Sequence, residues 1–386
     1  MASASHTVTK ASGGDKNSIP GFLGGVYVGY EFPLSPQNSF AVEIFVNMQN
    51  SKATSINIGG NSPYSVEDKI SQMYGVSLLP QTILPTNAHL FMRAGAVWGK
   101  IGFDNGIPAS QINYTRDHQL GWDGGIGYSV PISQQIVLRA EYNVIGFSSI
   151  KKNYIVDDVA VRDNNKPMSE QFVIGLSYFL GPIQNLVDDR LSLATNGFYM
   201  VADLARAVGN VQFDANSQNS NNDNTINNAT EGFAVDGGIG AGFLIPHNAY
   251  IGFEGDAAYN LINQSFSNNG TTYKVKYQAS LSAAVLPGYF ISPGNLIYIR
   301  AGVAFTRFNR TGDTSTTAGT NFTNEKKWRE GLIYGVGFES YIRQNVSLRL
   351  EYDRTQYQKF TITNSSIDYT YHLSDNQFKI GLVYRF

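Results

Sequence analysis

Eight charged residues stand out because they recur. Glu43, Arg93, Arg139 and Glu141 are matched, in the same order, by Glu254, Arg300, Arg349 and Glu351. Their neighbours recur with them. Arg93-Ala94-Gly95 pairs with Arg300-Ala301-Gly302, and Leu138-Arg139-Ala140-Glu141-Tyr142 with Leu348-Arg349-Leu350-Glu351-Tyr352. In an extended chain Leu138, Ala140 and Tyr142 point away from Arg139 and Glu141, so the charges share the face opposite the apolar residues. Two kinds of chemistry suit such a set. Packed inside a narrow interior, the carboxylates and guanidiniums must pair with one another and plug it. Lining an open pore, they would form a constriction that selects ions.

Other side chains offer less. The five histidines are His6, His89, His118, His247 and His372, and none has a metal-ligand spacing such as His-Glu-x-x-His. There is no cysteine, so thiolate metal sites and disulfides are excluded. Asp117-His118 near Asp123 is the one candidate acid–base pair. The second copy has no histidine at the corresponding place and no nucleophile stands out. The chain is therefore read as non-enzymatic, with no catalytic, cofactor or metal site. A hydrolase or acyltransferase built on His118 and Asp123 ranks behind two non-enzymatic readings.

The elements that must position the eight charges are strands. The last ten residues show the pattern most clearly: Phe378, Ile380, Leu382, Tyr384 and Phe386 alternate with Lys379, Gly381, Val383 and Arg385. The same phrase occurs at Gln171–Leu180. In the second half, strands are expected near 197–213, 232–245, 249–261, 273–290, 296–308, 330–342, 346–360 and 376–386. Long polar stretches (Asp214–Glu231, Asn263–Thr272, Asn309–Lys327, Thr361–Asp375) alternate with tight turns at Pro246-His247-Asn248, Ser292–Asn295 and Arg343-Gln344-Asn345. The Asn-rich Ser217–Asn228 reads as a mobile loop. Further anchors extend the repeat: Gly21-Phe22 with Gly232-Phe233, Phe40–Glu43 with Ile251–Glu254, and Leu79-Pro80 with Leu286-Pro287. The first copy shows about seven clear strands, with residues 3–11 offering a shortened eighth.

Two repeat units joined by a linker follow: residues 1–180, a linker at 181–195 with the spacing of a short helix, and residues 196–386. Gly238, Gly240, Gly242, Gly335 and Gly337, with Gly125 and Gly127, fall on the charged face, where small residues let a tight barrel close. Pro80 and Pro287 are expected to mark a bulge or a strand end. Charged residues make up 15% of the chain, against about 25% in soluble domains. The net charge of −2 argues against nucleic-acid binding. No apolar run is long enough for a transmembrane helix, a test that alternating strands escape. Met1–His6 lacks the basic start and apolar stretch of a secretory signal, so the N-terminus reads as mature or truncated.

Leu286-Pro287-Gly288-Tyr289-Phe290-Ile291-Ser292-Pro293, Leu296–Gly302 and the terminal Tyr384-Arg385-Phe386 resemble strands of Gram-negative outer-membrane β-barrels, of the OmpA-like and immunogenic surface-protein type. The resemblance covers nearly the whole chain, twice. It implies an all-β, antiparallel transmembrane barrel made of two tandem eight-strand-type repeats, closed separately or joined into one barrel of about 15–16 strands. Separate barrels imply plugged interiors and a structural or surface-antigen role. A joined barrel implies a porin-like channel for ions and small solutes. The resemblance also implies an outer-membrane location, and contact with membrane lipids, lipopolysaccharide and the barrel assembly machinery. That machinery would read Phe378, Ile380, Leu382, Tyr384 and Phe386 as an assembly signal. A host or surface ligand at the long loops is a further implied partner.

Overall fold

A computed structural model describes residues 2–10, 16–57, 64–105, 117–156, 159–180, 195–217, 223–268, 271–314, 325–364 and 367–386. The regular structure among the described residues is all β-strand. The first nine are β1 (Ala2–Lys10), β2 (Lys16–Pro33), β3 (Asn38–Asn57), β4 (Tyr64–Ile83), β5 (His89–Asn105), β6 (Asp117–Pro131), β7 (Ile136–Phe147), β8 (Ile150–Val156) and β9 (Val159–Tyr178). The second nine are β10 (Gly197–Ser217), β11 (Asp223–Ile245), β12 (Ala249–Asn268), β13 (Thr271–Ser292), β14 (Asn295–Thr314), β15 (Glu325–Tyr341), β16 (Val346–Tyr357), β17 (Phe360–Asn364) and β18 (Ile367–Arg385).

Each group closes on itself through antiparallel pairs. In the first, β1 pairs with both β2 and β9, Ser5 lying opposite Gly21 on one side and Gln171 on the other. In the second, β10 pairs with β11 and β18, Ala207 lying between Gly232 and Gln377. The strand pairings leave the two sheets separate, so the chain forms two barrels and not one joined barrel. The seventh strand of each is interrupted at the same point. Ser148 and Ser149 separate β7 from β8, and Gln358 and Lys359 separate β16 from β17. The shortened eighth strand expected at residues 3–11 is β1. It pairs with β2 only as far as Leu23 and with β9 as far as Ile174. Beyond it, the Tyr27 hydroxyl on β2 hydrogen-bonds to the Ser177 hydroxyl on β9.

The long polar stretches differ from expectation. They are largely hairpin, not loop: β10 runs on to Ser217 and β11 begins at Asp223, within the Asn-rich segment. The rest of that segment, 218–222, lies outside the described residues, as does the expected linker helix over 181–194. Backbone hydrogen bonds continue these strands whatever side chains they carry, and polar side chains suit the part that rises into water. A span needs only about 9–11 residues per strand. Several of these strands have 20 or more.

The opposite ends are tight. His247 and Asn248 both adopt left-handed backbone conformations in the three-residue β11–β12 turn, a region that His and Asn enter more readily than most residues. Pro80 and Pro287 lie within β4 and β13, each where the ladder to the following strand misses two successive pairs. A proline has no N–H to give there.

Side chains inside the barrels stack in layers. At the long-hairpin end sit apolar plugs: Ile70, Met73, Ile101 and Phe147 in the first barrel, and Ile262, Tyr277, Phe308 and Tyr357 in the second. At the turn end of the second barrel, Tyr250, Leu286, Tyr298 and Tyr341 form another. Outside, the polarity inverts. Phe22 is 83% exposed, Ile239 68% and Leu204 63%, while Arg300 and Glu351 are fully buried. A water-soluble protein would reverse that arrangement.

Two interior charge networks as the candidate functional site

Strand pleating brings the eight sequence-selected charges together inside the two barrels. In the first, Glu43 on β3, Arg93 on β5, and Arg139 and Glu141 on β7 form a closed ring of alternating sign. Arg93 Nη2 lies 2.7 Å from Glu43, and Arg93 Nε 3.4 Å from Glu141. Arg139 Nη1 is 2.5 Å from Glu43, and its Nη2 2.8 Å from Glu141. The second barrel repeats the ring. Arg349 donates to both Glu254 oxygens at 3.0 Å and to Glu351 at 2.8 Å. Arg300 pairs with Glu254 and lies 3.5 Å from Glu351. Every member is buried.

Around each ring lie residues that the repeated motif did not select. In the first barrel Asp123 accepts from Ser77 at 2.9 Å and faces Arg93 at 3.4 Å. The Arg139 guanidinium lies over the Tyr27 and Phe91 rings, 4.9 and 4.4 Å from their centroids. The second barrel adds more charge. Asp256 pairs with Arg300, and Lys379 Nζ sits 3.0 Å from both Asp236 and Asp353. Nearer the turns, Arg385 pairs with Glu339. A signal for these was present in the strand period. Asp256 and Asp353 stand two residues after Glu254 and Glu351, and Lys379 and Arg385 alternate with the apolar residues of the last strand.

Close packing depends on the interior glycines. A Cβ on Gly127 would collide with the Phe91 ring, and one on Gly337 with the Tyr298 ring. Tyr298 in turn donates to Glu351 at 2.6 Å. A cavity of about 10 Å³ borders Tyr27, Phe45, Arg93, Asp123 and Asn143, room for about one water.

The acid–base candidate does not assemble. His118 is exposed on the outer surface of β6, near the Tyr74 ring, whereas Asp123 points inward to Arg93. Their odd separation of five residues puts them on opposite faces of one strand. Among the described residues no cluster of His, Asp and Glu has a metal-binding arrangement. Of the alternating apolar residues at the C-terminus, Phe378, Ile380, Leu382 and Tyr384 lie on the outer face of β18, and Phe386 directly follows the strand. Leu382, Tyr384 and Phe386 are exposed, while Phe378 is buried and Ile380 half-buried.

Two closed antiparallel barrels, apolar outside and charged within, define an integral membrane β-barrel protein. The chain belongs to the family of outer membrane protein β-barrel domains, which matches residues 2–178 and again 192–386. A 22 kDa outer membrane protein of Rhizobium leguminosarum is 30% identical over 135 residues, 35% of this chain and 58% of the relative. A 25 kDa outer-membrane immunogenic protein of Brucella melitensis is 29% identical over 135 residues, again 35% of this chain and 57% of the relative. The chain thus spans just over half the length of these curated relatives. Among solved structures, Neisserial surface protein A aligns with 15% identity and a TM-score of 0.29, covering 49% of this chain and 97% of that one. The protein is an integral component of the outer membrane.

Proposed function

We propose that this protein is a non-enzymatic pair of plugged outer-membrane barrels with a structural and surface-exposed role. The carrying observation is that both charge rings close inside interiors already filled above by apolar side chains. A conducting pore needs a continuous water path, and the paired arginines and carboxylates occupy it. The tall hairpins supply the surface at which a host or surface ligand would bind, and the immunogenic naming of the Brucella relative supports exposure of that end.

The lipid-facing wall supports a second part of the reading. Lys274, Lys276, Arg307 and Lys326 lie on adjoining strands toward the hairpin end, beside the exposed Trp328. Cations just above an aromatic girdle suit the phosphates of lipopolysaccharide. The outer face of β18 is the surface offered to the assembly machinery.

Conductance of the refolded protein in a planar bilayer tests the plug. Silence from protein that still shows heat-modifiable gel mobility is expected. Stable large steps that scale with salt would reject it in favour of a channel for ions and small solutes.

A further inference from the structure

The outer faces of the two barrels meet along one line, and the residues that meet are repeats of one another. The Tyr142 ring on β7 stacks on Phe378 of β18 with centroids 4.4 Å apart and planes 7° from parallel. The Phe172 ring on β9 stacks on Tyr352 of β16 at 4.9 Å and 7°. Tyr142 and Tyr352 end the two copies of the Leu-Arg-x-Glu-Tyr phrase, and Phe172 and Phe378 follow the glutamine of the two closing phrases. The two stacks are therefore one contact made twice with the partners exchanged. Phe172 and Phe378 themselves lie 6.3 Å apart, on the line between them. Exchange of this kind is the signature of an isologous two-fold interface, here formed within one chain.

Polar contacts reinforce it where lipid would punish them. Glu170 and Arg206 project from the outer faces of β9 and β10. Arg206 Nη2 lies 2.7 Å from Glu170 and 2.7 Å from Glu231 of β11. Exposed to hydrocarbon, such charges would destabilise a barrel in a depth-dependent way. Between the barrels, where Glu170 is buried and Arg206 and Glu231 are half-buried, they satisfy each other. At the turn end, Thr86 and Ser340 place their hydroxyls 2.5 Å apart, Asn295 donates to the Thr86 carbonyl at 2.8 Å, and Tyr128 donates to Asn295 at 2.8 Å.

We propose that the two barrels stay docked in the membrane as a covalent pseudo-dimer, with this seam as a lasting interaction surface whose partner is the other repeat of the same chain. Aromatic stacks hold its centre, and the Glu170–Arg206–Glu231 clasp sets the relative depth of the barrels. The seam is independent of whether either interior conducts.

The absence of cysteine makes the test clean. Thr86→Cys with Ser340→Cys, in the full chain in lipid vesicles, is expected to oxidise to an internal disulfide. Because the two positions are 254 residues apart, that bond visibly shifts the mobility of the denatured, unreduced chain. Leu78→Cys with Val285→Cys, on outer faces away from the seam, is expected to give no internal bond. Glu170→Arg is expected to reduce cross-linking at 86 and 340, and adding Arg206→Glu to restore it. Folded protein with no internal cross-link at 86 and 340, or with cross-links only between chains, would overturn the seam. A Glu170→Arg protein that cross-links like the parent would overturn the clasp.

Discussion

The two barrels share one ring of charges and differ in what surrounds it. In the first, the ring rests mainly on aromatic faces and an amide, those of Phe45, Tyr27, Phe91 and Asn143, with Asp123 as an added carboxylate beside Arg93. In the second, the positions of Phe45, Asn143 and Val173 in the repeat are taken by Asp256, Asp353 and Lys379. Those extra charges come as a set. Lys379 reaches Asp236, Asp353 and Glu351, while Asp256 draws on Arg300. The lesson is that the four-residue ring is the transferable element, and that its surroundings can be largely aromatic or largely ionic if each version is complete.

The largest effect should come from the shared ring. Arg139→Leu and Arg349→Leu each leave two buried carboxylates short of a partner, so each should cost its own barrel about 3–5 kcal/mol. Urea unfolding can be followed barrel by barrel, because Trp98 and Trp122 belong to the first and Trp328 to the second. Markedly unequal losses would break the equivalence of the rings. Next, Lys379→Val installs the first barrel's residue in the second and should cost about 3 kcal/mol. Adding Asp353→Asn should recover part of that loss, and failure to recover would mean that the extra charges are not one set. Gly127→Leu and Gly337→Leu should each cost about 1–3 kcal/mol by overpacking against Phe91 and Tyr298. The smallest contrast lies within β6. Asp123→Asn should cost about 1 kcal/mol as one charged hydrogen-bond acceptor is weakened, and His118→Ala should stay within about 0.5 kcal/mol. Equal effects would contradict their placement on opposite faces.

Much of this was legible because a period of two is a strong signal and duplication supplies a second reading of each strand. The ring could be picked from recurrence and placed by alternation, since Arg139 and Glu141 had to face away from Leu138 and Tyr142. The ionic surroundings were harder to see: Lys379 has no charged counterpart in the first copy, so repetition could not mark it. Hairpin ends such as Asp223–Asn228 were hidden because strand pairing in water places little demand on side chains. The seam left the weakest trace. Tyr142 and Phe172 look the same in sequence whether they face lipid or another barrel, as both surroundings are apolar. Glu170, Arg206 and Glu231 were outward hints, as charges where the alternation called for apolar residues.

The clasp also bears on how such a molecule can change over generations. In a dimer of identical chains every substitution appears on both sides of the axis, so an acid placed at the seam must tolerate its own mirror image. Here the repeat position of Glu170 is Asn376, which accepts a hydrogen bond from Tyr352 at 3.0 Å, and that of Arg206 is Ala4. Joining the halves in one gene frees each side of the contact to drift alone, and a one-sided ion pair is an innovation open to a fused dimer and closed to a symmetric one.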